Sequence, residues 1–472
     1  MYFYTSMRNP ARTVIVFITF LFIIYACRKN DFTSDADALL STSVDTLHFD
    51  TVFTSAGSVT HAFKIFNPND KGIRISSIRL MGSNASPFKI NVNGIPGPVV
   101  SDTELRNNDS IFVFATVTID PNADNLPFVV RDSIEIVYNN NKTIVQLEAF
   151  GQNAHFLRGK IIKTNETWNN DLPYVILGGL LVDTNAVLTI NKGTRVHMHA
   201  DAPFYINGTL LVNGEKEENE RVIFTGDRLD EPYKDFPASY PGLFFLDVSR
   251  NNVLNYAVIK NAYQGVVVNE PASNATPKLT LNETIIENAY DAGILAINSS
   301  IVAKNVLISN CGQNLFIVKG GNYRFTHCTI AAYSTNYLQH KKPVVYITNA
   351  LDNQTSILSA VFENCIIWGE SGGLVKEEVQ VVKSGTTPYS VVFDHILWSV
   401  DKNPEQATVP NFSTNANPLF DSINTSSRYF DFRLNTKSSP AIDKGAHKGV
   451  LIDLDGNPRP VNLPDLGAYE KQ

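Results

Sequence analysis

One short sequence pattern recurs along the second half of the chain and decides its fold. The copies read VLNYAVIKN (253–261), TLNETIIEN (280–288), VAKNVLISN (302–310), YRFTHCTIAA (323–332) and VFENCIIWG (361–369). An isoleucine near the end of each copy recurs at spacings of 27, 22, 22 and 37 residues, at Ile259, Ile286, Ile308, Ile330 and Ile367. Self-similarity at such a period is typical of a solenoid, in which each repeat forms one coil and packs on its neighbours.

Three positions in each copy are apolar or small: the isoleucine, the residue two before it and the residue five before it. The first two share a strand face, because side chains alternate with period two. The position five residues before the isoleucine would point to the opposite face of a continuous strand. The chain must therefore bend at the mostly polar pair of residues that separates this position from the other two. Runs this short and this rich in Val, Ile, Thr and Phe do not fit an amphipathic helix. The pattern therefore predicts an all-β fold, a parallel β-helix.

Asparagine residues end three of the copies, at Asn261, Asn288 and Asn310. Because asparagine tolerates the left-handed backbone conformation, these positions predict tight corners. Longer strands punctuated by glycine, such as AVLTINKGTRVHMHA (186–200), extend the solenoid towards its beginning. We assign residues 155–435 to the β-helix.

Three insertions interrupt the coils. They read DRLDEPYKDFPASYPG (227–242), AAYSTNYLQHKKP (331–343) and ITNALDNQTSIL (347–358). Long loops on a repeat scaffold are frequent places for binding. The simplest expectation for the first is that it packs over the end of the helix.

Residues 43–153 have a different sequence pattern, with about seven short segments of strand-like alternation separated by turn-forming clusters. This spacing predicts an antiparallel β-sandwich. Through HFDTVF (48–53), FKIFNPND (63–70) and LEAFGQNA (147–154), the module resembles the immunoglobulin-like domains of the cilium- and spindle-associated type. The resemblance implies a spacer or a contact module.

The beginning of the chain has the features of an export signal. Two arginines precede an apolar run, VIVFITFLFIIYA (14–26), which is too short to span a bilayer as a helix and ends at Cys27. The run resembles a bacterial lipoprotein signal peptide (1–26), which implies lipid attachment at Cys27, followed by a polar tether (27–42). A retained, uncleaved anchor is the alternative. The formal charge of −7 over 472 residues, without a long basic run, argues against a nucleic-acid partner.

Export implies an oxidising compartment, in which the remaining cysteines are candidates for disulfide formation. Cys328 and Cys365 occupy the same interior position of two copies, and stacked strands lie within the reach of a disulfide. A reduced, packed pair is the preferred interpretation, because buried cysteine behaves as a small hydrophobe.

The polar bends contain the candidate catalytic residues, Glu283, Lys304, His327 and Glu363. Glycoside hydrolysis needs two carboxylates, and lyase chemistry needs a base beside a uronate whose charge is neutralised by Ca²⁺ or by basic groups. No cofactor is expected, and Ca²⁺ enters only under the lyase alternative. These residues mix both charges, so a solvated face is the preferred interpretation. His197 and His199 alternate with apolar residues and are interpreted as an exposed strand face, not as metal ligands.

The closing segments NPLF (417–420), YFDFRLNTKSSPAIDKGA (429–446), LIDLDGNPRP (451–460) and PDLGAYE (464–470) resemble the end of many bacterial right-handed β-helix proteins. In those proteins the chain wraps back over the last coil, so we assign residues 436–472 to a capping segment. With the lipoprotein signal and the sandwich, the chain resembles a family of Bacteroidetes surface lipoproteins of the pectin-lyase-like superfamily, whose function is not established.

The resemblance implies a protein anchored in the outer membrane or at the cell surface. The leading hypothesis is a non-catalytic envelope protein that binds a polysaccharide or an envelope protein through its β-helix. The alternatives are a polysaccharide lyase or glycoside hydrolase acting in a groove along the helix, and a purely structural envelope component.

Overall fold

A computed structural model describes residues 31–53, 58–120, 128–434, 438–460 and 462–472. The apolar run at 14–26 and Cys27 lie outside these ranges. The chain divides into two compact units between Gln152 and Asn153. Regular structure in the described ranges is β-strand together with three short 3₁₀ turns, Ser83–Ala85, Glu218–Glu220 and Tyr233–Asp235. No described helix is long and apolar enough to cross a bilayer.

The N-terminal unit consists of two packed sheets. Its described strands are β1 (Phe32–Thr33), β2 (Ser41–Thr42), β3 (Thr46–Phe53), β4 (His61–Asn67), β5 (Gly72–Leu80), β6 (Phe88–Val92), β7 (Ile95–Pro96), β8 (Val99–Leu105), β9 (Asp109–Val117), β10 (Phe128–Tyr138) and β11 (Asn141–Gln152). One sheet runs β1-β5-β10-β11-β3 with β8 beside β5, and the other runs β2-β4-β9-β6-β7. Inward side chains from both sheets, such as Phe63 and Ile136, form one buried core. The predicted β-sandwich is confirmed.

The sandwich begins earlier than the sequence indicated. Strands β1 and β2 lie within the region predicted as a tether, and they pair with β5 and β4. Leu40 is buried in the core, and its backbone N–H donates to the Tyr138 hydroxyl at 3.0 Å. Burial of Leu40 and the backbone pairing order this stretch, although its composition is polar.

The second unit is built on one large parallel sheet. Its described strands are β12 (His155–Ile162), β13 (Glu166–Trp168), β14 (Tyr174–Val182), β15 (Val187–Asn191), β16 (Arg195–Met198), β17 (Phe204–Ile206), β18 (Thr209–Asn213), β19 (Val222–Gly226), β20 (Leu243–Phe245), β21 (Asn252–Asn255), β22 (Ala257–Lys260), β23 (Gln264–Asn269), β24 (Leu279–Asn282), β25 (Ile285–Glu287), β26 (Ala292–Lys304), β27 (Leu307–Ser309), β28 (Gln313–Thr326), β29 (Thr329–Tyr333), β30 (Val345–Thr348), β31 (Ala350–Leu351), β32 (Gln354–Thr355), β33 (Leu358–Glu370), β34 (Val379–Val382), β35 (Tyr389–Trp398), β36 (Ser413–Thr414), β37 (Phe420–Asn424) and β38 (Tyr429–Leu434). Strands β12 to β30 and β33 to β36 stack coil upon coil as a parallel β-helix.

The three apolar positions of the sequence pattern form the interior of the helix. Side chains at equivalent positions of successive coils are in register, as for Ile286 with Ile308 and Phe325 with Phe362. All fifteen of these residues are fully buried, and all except Thr284 belong to one continuous hydrophobic core. The coil at 361–369 stacks directly on the coil at 323–332, so no coil intervenes in the 37-residue spacing. The fold predicted from the repeat is confirmed.

The corners also follow the sequence pattern. Asn261, Asn288 and Asn310 have φ of 67°, 54° and 52°, in the left-handed region expected for them. The bend inside each copy is a second left-handed corner three residues before the isoleucine, for example at Asn305 with φ 51° and at Asn364 with φ 54°. The cysteines at 311, 328 and 365 are all buried and unbonded to one another.

The C-terminal segment takes a different path from the expected one. Strands β37 and β38 form an antiparallel hairpin that packs Phe430 and Phe432 against Tyr333 on the outer face of the coils. Residues 438–460 and 462–472 then lie along the side of the helix, where the backbone N–H of Ala468 donates to the Thr329 hydroxyl. The contacts thus run along the flank of several coils and are not confined to the last one.

Candidate functional site

The four candidates from the polar bends fall into two neighbouring columns. Lys304 and Glu363 occupy equivalent positions, and Glu283 and His327 are the left-handed residues at the bend, with φ of 46° and 52°. Lys304 is exposed, whereas His327 is buried and its Nε2 lies 2.9 Å from the side-chain nitrogen of Asn364. The structure therefore places them in different surroundings.

The chain's own C-terminal segment occupies the flank where a groove was expected. Asn305 donates to the carbonyl of Ile452 at 2.9 Å, and Asn364 donates to the carbonyl of Ala446 at 2.7 Å. Lys448 of the same segment forms an ion pair with Glu363 at 2.9 Å. A segment that satisfies these polar groups leaves the bends with a structural role, because buried donors and acceptors need partners.

The carboxylates of the bends are held by neighbours. Glu363 also accepts a hydrogen bond from Arg324 at 2.5 Å. Glu283 accepts one from Asn305 at 2.9 Å, and burial raises the pKa of its carboxyl despite that bond.

His197 differs from its prediction. We expected an exposed strand face, but His197 is buried and its Nδ1 lies 3.1 Å from the carbonyl of Gly226 on the next coil. Burial lowers the pKa of its imidazole to about 4. His199 is exposed, as expected, and pairs with Asp227 at 2.7 Å. Val196 and Met198 point into the core as the alternation predicts, but the outward position of His197 is itself covered, so alternation alone does not decide exposure.

A polar cleft opens instead on the outer face of the coils, where the first two insertions and the C-terminal hairpin meet. Its volume is about 170 Å³. We call it the insertion cleft, and it is lined by Asp235, Lys260, Asn261, Glu287, Asn288, Asn310, Thr335, Ser427, Arg428 and Phe430. The lining combines residues from six separate places in the sequence. Convergent polar groups in a concave site are typical of ligand binding.

The floor of the insertion cleft is supplied by two adjacent coils. Lys260 and Glu287 immediately follow the interior isoleucines of their copies, so they point outwards, and they are in register with each other. Burial raises the pKa of the Glu287 carboxyl, Lys260 lowers it in part and Asp235 raises it further. The positions are rigid, because both residues end strands of the large sheet.

The first insertion contributes Asp235 to the lining of the same cleft. This residue ends the 3₁₀ turn Tyr233–Asp235, and its backbone carbonyl accepts a hydrogen bond from the Asn288 side chain at 2.9 Å. Asn261 holds the carbonyl of Lys234 in the same way at 2.8 Å. The corner asparagines thus anchor the insertion on the coils, and the expectation that it merely covers the end of the helix is wrong.

Arg428 connects the hairpin to both insertions. Its guanidinium lies 3.6 Å from the Asp235 carboxylate and 4.2 Å from the centre of the Tyr337 ring in the second insertion. Tyr337 in turn packs edge-on against Phe236 of the first insertion, with ring centres 4.6 Å apart. A cation and two aromatic rings thus join the hairpin to the two insertions beside the cleft.

A second cavity has Tyr337 in its lining. It measures about 510 Å³ and is lined by Tyr290, Asp291, Gly312, Asn336, Tyr337, Leu338, Gln339, Lys341 and Lys342. At its edge Tyr263 and Tyr290 stack with ring centres 5.6 Å apart, although 46% and 51% of these residues remain exposed. We call this stacked pair the tyrosine platform. Tyr290 lines this cavity together with Tyr337, and Tyr337 contacts Arg428 of the insertion cleft, so the two cavities are neighbours.

Sequence reasoning missed this site. Two sequence features could have indicated it. Lys260 and Glu287 are charged residues at the same outward position of two adjacent copies, and an insertion rich in proline and aromatic residues precedes these copies. As to metals, the described ranges contain no group of three or more His, Cys, Asp or Glu side chains placed to hold an ion.

Comparison with known proteins gives little further information. No protein-family model matches the chain, and no curated protein sequence matches it. Part of the chain matches a structure of a family 123 glycoside hydrolase from Clostridium perfringens, with 12% identity, 28% of this chain and 31% of that chain covered, and a TM-score of 0.20. Another part matches the PapD-like domain 7 of human CEP192, with 12% identity, 25% of this chain and 85% of that chain covered, and a TM-score of 0.17. Overlaps this limited establish no function.

Proposed function

We propose that this protein is a lipid-anchored protein of the bacterial cell envelope that binds acidic glycans at the insertion cleft and the tyrosine platform. The lipid anchor at Cys27, the outer-membrane or surface location and the kinship with Bacteroidetes surface lipoproteins belong to the proposal, and they rest on the sequence resemblance. The structural support comes from the site on the β-helix.

The tyrosine platform is the observation on which glycan binding rests. A sugar ring has one face of C–H groups and a rim of hydroxyls, so it stacks on an aromatic ring while its rim forms hydrogen bonds. Tyr263 and Tyr290 offer ring surface of this kind, and each keeps about half of its surface free. Tyrosine suits such a contact because its ring is apolar and rigid and its hydroxyl remains polar. Polar side chains of the cleft lie within a few residues of the platform.

The charges along the two cavities favour an acidic glycan. Four cationic side chains line them, Lys260, Lys341, Lys342 and Arg428, against three carboxylates, Asp235, Glu287 and Asp291. Lys342 and Arg428 are already opposite carboxylates, at 3.5 and 3.6 Å. Lys260 and Lys341 have no carboxylate within 4 Å among the described residues, so they are free to pair with a uronate or a sulfate.

The test is a binding measurement on the full-length chain in detergent, with uronate-containing, sulfated and neutral oligosaccharides. We expect an acidic oligosaccharide to bind, and Tyr263→Ala together with Tyr290→Ala to weaken it at least about tenfold, or about 1.4 kcal/mol. Tyr205→Ala is the matched control, because Tyr205 is also exposed and packs on Phe244 but lines neither cavity. Equal loss in the control, or absence of binding to every glycan, contradicts the proposal.

A further inference from the structure

The two carboxylates of the insertion cleft have different surroundings. Glu287 is half-buried on a strand of the large sheet, and no described side chain donates a hydrogen bond to its carboxylate. Burial raises the pKa of this carboxyl, so Glu287 holds its proton more tightly than an exposed glutamate does. Asp235 lies on the first insertion with 39% of its side chain exposed, opposite the guanidinium of Arg428. Two carboxyl groups in one cavity whose environments differ in this way are suited to opposite roles in proton transfer.

We propose that the insertion cleft hydrolyses the glycan that it binds, with Glu287 as the general acid and Asp235 as the general base. The inference rests on the proposed function, since the tyrosine platform would hold the chain of sugars whose glycosidic bond enters the cleft. It goes beyond binding because it assigns a reaction and two catalytic residues.

The reaction requires water and no other reactant. Glu287 donates its proton to the glycosidic oxygen as the bond from that oxygen to the anomeric carbon breaks. Asp235 accepts a proton from a water molecule, whose oxygen forms the new bond to the anomeric carbon. The products are two shorter glycans, one of them with a new reducing end, and the proton on Asp235 returns to Glu287 through solvent. Paired carboxyl groups perform this chemistry in most glycoside hydrolases.

Neighbouring residues in the cleft suit these roles. Lys260, in register with Glu287 on the adjacent coil, stabilises the carboxylate that remains after Glu287 has given up its proton. Asn288 holds the backbone at Asp235, and Arg428 holds its side chain, so the base is positioned from both ends. The cleft volume of about 170 Å³ suits a single sugar ring, with the rest of the glycan outside.

The experiment follows binding and cleavage separately on the full-length chain in detergent, with the acidic oligosaccharide that binds most tightly. New reducing ends report hydrolysis, and ultraviolet absorbance reports the unsaturated product of a lyase. We expect Glu287→Gln and Asp235→Asn each to lower the rate of release at least about 100-fold while the dissociation constant changes less than about threefold. Glu218→Gln is the control, because Glu218 is exposed on the turn Glu218–Glu220 and lines neither cavity.

Each outcome bears on a different claim. Binding without release of reducing ends overturns the hydrolytic inference and leaves the proposed binding function standing. Absence of both binding and release overturns both. Release that persists in Glu287→Gln and Asp235→Asn, or release accompanied by the unsaturated product, shows that other residues or a lyase reaction are responsible and overturns the inference.

Discussion

The Nε2 atom of His340 lies 2.9 Å from both carboxylate oxygens of Glu378, and the two side chains are almost fully buried. His340 belongs to the second insertion, whereas Glu378 directly precedes a strand of the next coil. The same carboxylate accepts a hydrogen bond from the backbone N–H of Val344 at 3.2 Å. The Glu378 carboxylate therefore anchors the second insertion to the next coil. This insertion contributes Tyr337, Lys341 and Lys342 to the proposed binding site.

Loss of this carboxylate should release the second insertion. In Glu378→Ala the His340 ring and the Val344 N–H lose their buried acceptor, at a cost of about 3 kcal/mol. We expect a lower midpoint of urea unfolding and faster cleavage by trypsin after the exposed Lys341, because the released insertion can adopt the extended conformation that a protease requires. Glu377→Ala is the control, because this neighbouring carboxylate accepts a single hydrogen bond within the described ranges, from the exposed N–H of Asp401. Unchanged trypsin resistance in Glu378→Ala would refute the anchoring role.

Gly369 offers an independent perturbation of the same contact. A Cβ atom at this position would lie 2.2 Å from the Glu378 carboxyl group, so Gly369→Ala must displace that carboxyl group from His340. We expect a loss of about 1–3 kcal/mol in the wild-type background. In the Glu378→Ala background the clash is absent, and the added methyl group should cost little. A double-mutant cycle by urea unfolding measures the coupling, and strictly additive effects would exclude the mechanism.

Salt dependence provides a further prediction for binding. Lys341 and Lys342 line the larger cavity, and reversing both charges should repel an acidic oligosaccharide. We expect Lys341→Glu with Lys342→Glu to weaken binding about tenfold and to flatten its dependence on salt concentration. Lys402→Glu reverses an exposed lysine that lines neither cavity and should leave binding unchanged. Titration calorimetry at two salt concentrations separates these outcomes.

The β-helix could be predicted from the sequence because the residues that specify each coil lie close together in the chain. The burial of Ile286 and Phe362 and the left-handed corner at Asn288 follow from positions within a single copy. The insertion cleft could not be predicted from the sequence. Asp235 and Glu287 are 52 positions apart, and they line the same cleft only because the insertion folds back onto the coils. His327 was misjudged for a similar reason, since the segment that buries it follows more than a hundred residues later.

Acid should weaken the folded state through His197. Burial lowers the pKa of this imidazole from 6.5 to about 4, so the folded protein keeps it neutral while the unfolded chain takes up a proton near pH 6.5. The contribution to stability is therefore complete above pH 6.5 and is lost as the pH falls towards 4, by about 3 kcal/mol in total. His197→Asn should reduce the decline of stability over this window, and His199→Asn, at an exposed position, should not. Urea midpoints between pH 4 and 7 test the difference, and parallel curves for wild type and His197→Asn would contradict it.

Arg459 should be the residue on which attachment of the C-terminal segment depends most. Its buried guanidinium donates to the Glu470 carboxylate at 2.7 Å, to the Asn305 side chain at 3.1 Å and to the backbone carbonyls of Gly467 and Ala468 at 2.9 Å. Arg459→Ala leaves these acceptors buried without a donor and should cost about 3–5 kcal/mol.

Lysine should not restore the attachment, because its ammonium cannot reach four acceptors with the geometry of a planar guanidinium. We therefore expect Arg459→Lys to lie much closer to Arg459→Ala than to wild type in urea unfolding. Arg433→Ala is the control, since Arg433 pairs with Asp431 and Asp455 on the same segment while 53% of its side chain is exposed. If Arg459→Lys unfolds at the wild-type midpoint, charge alone holds the segment and the directional hydrogen bonds contribute little.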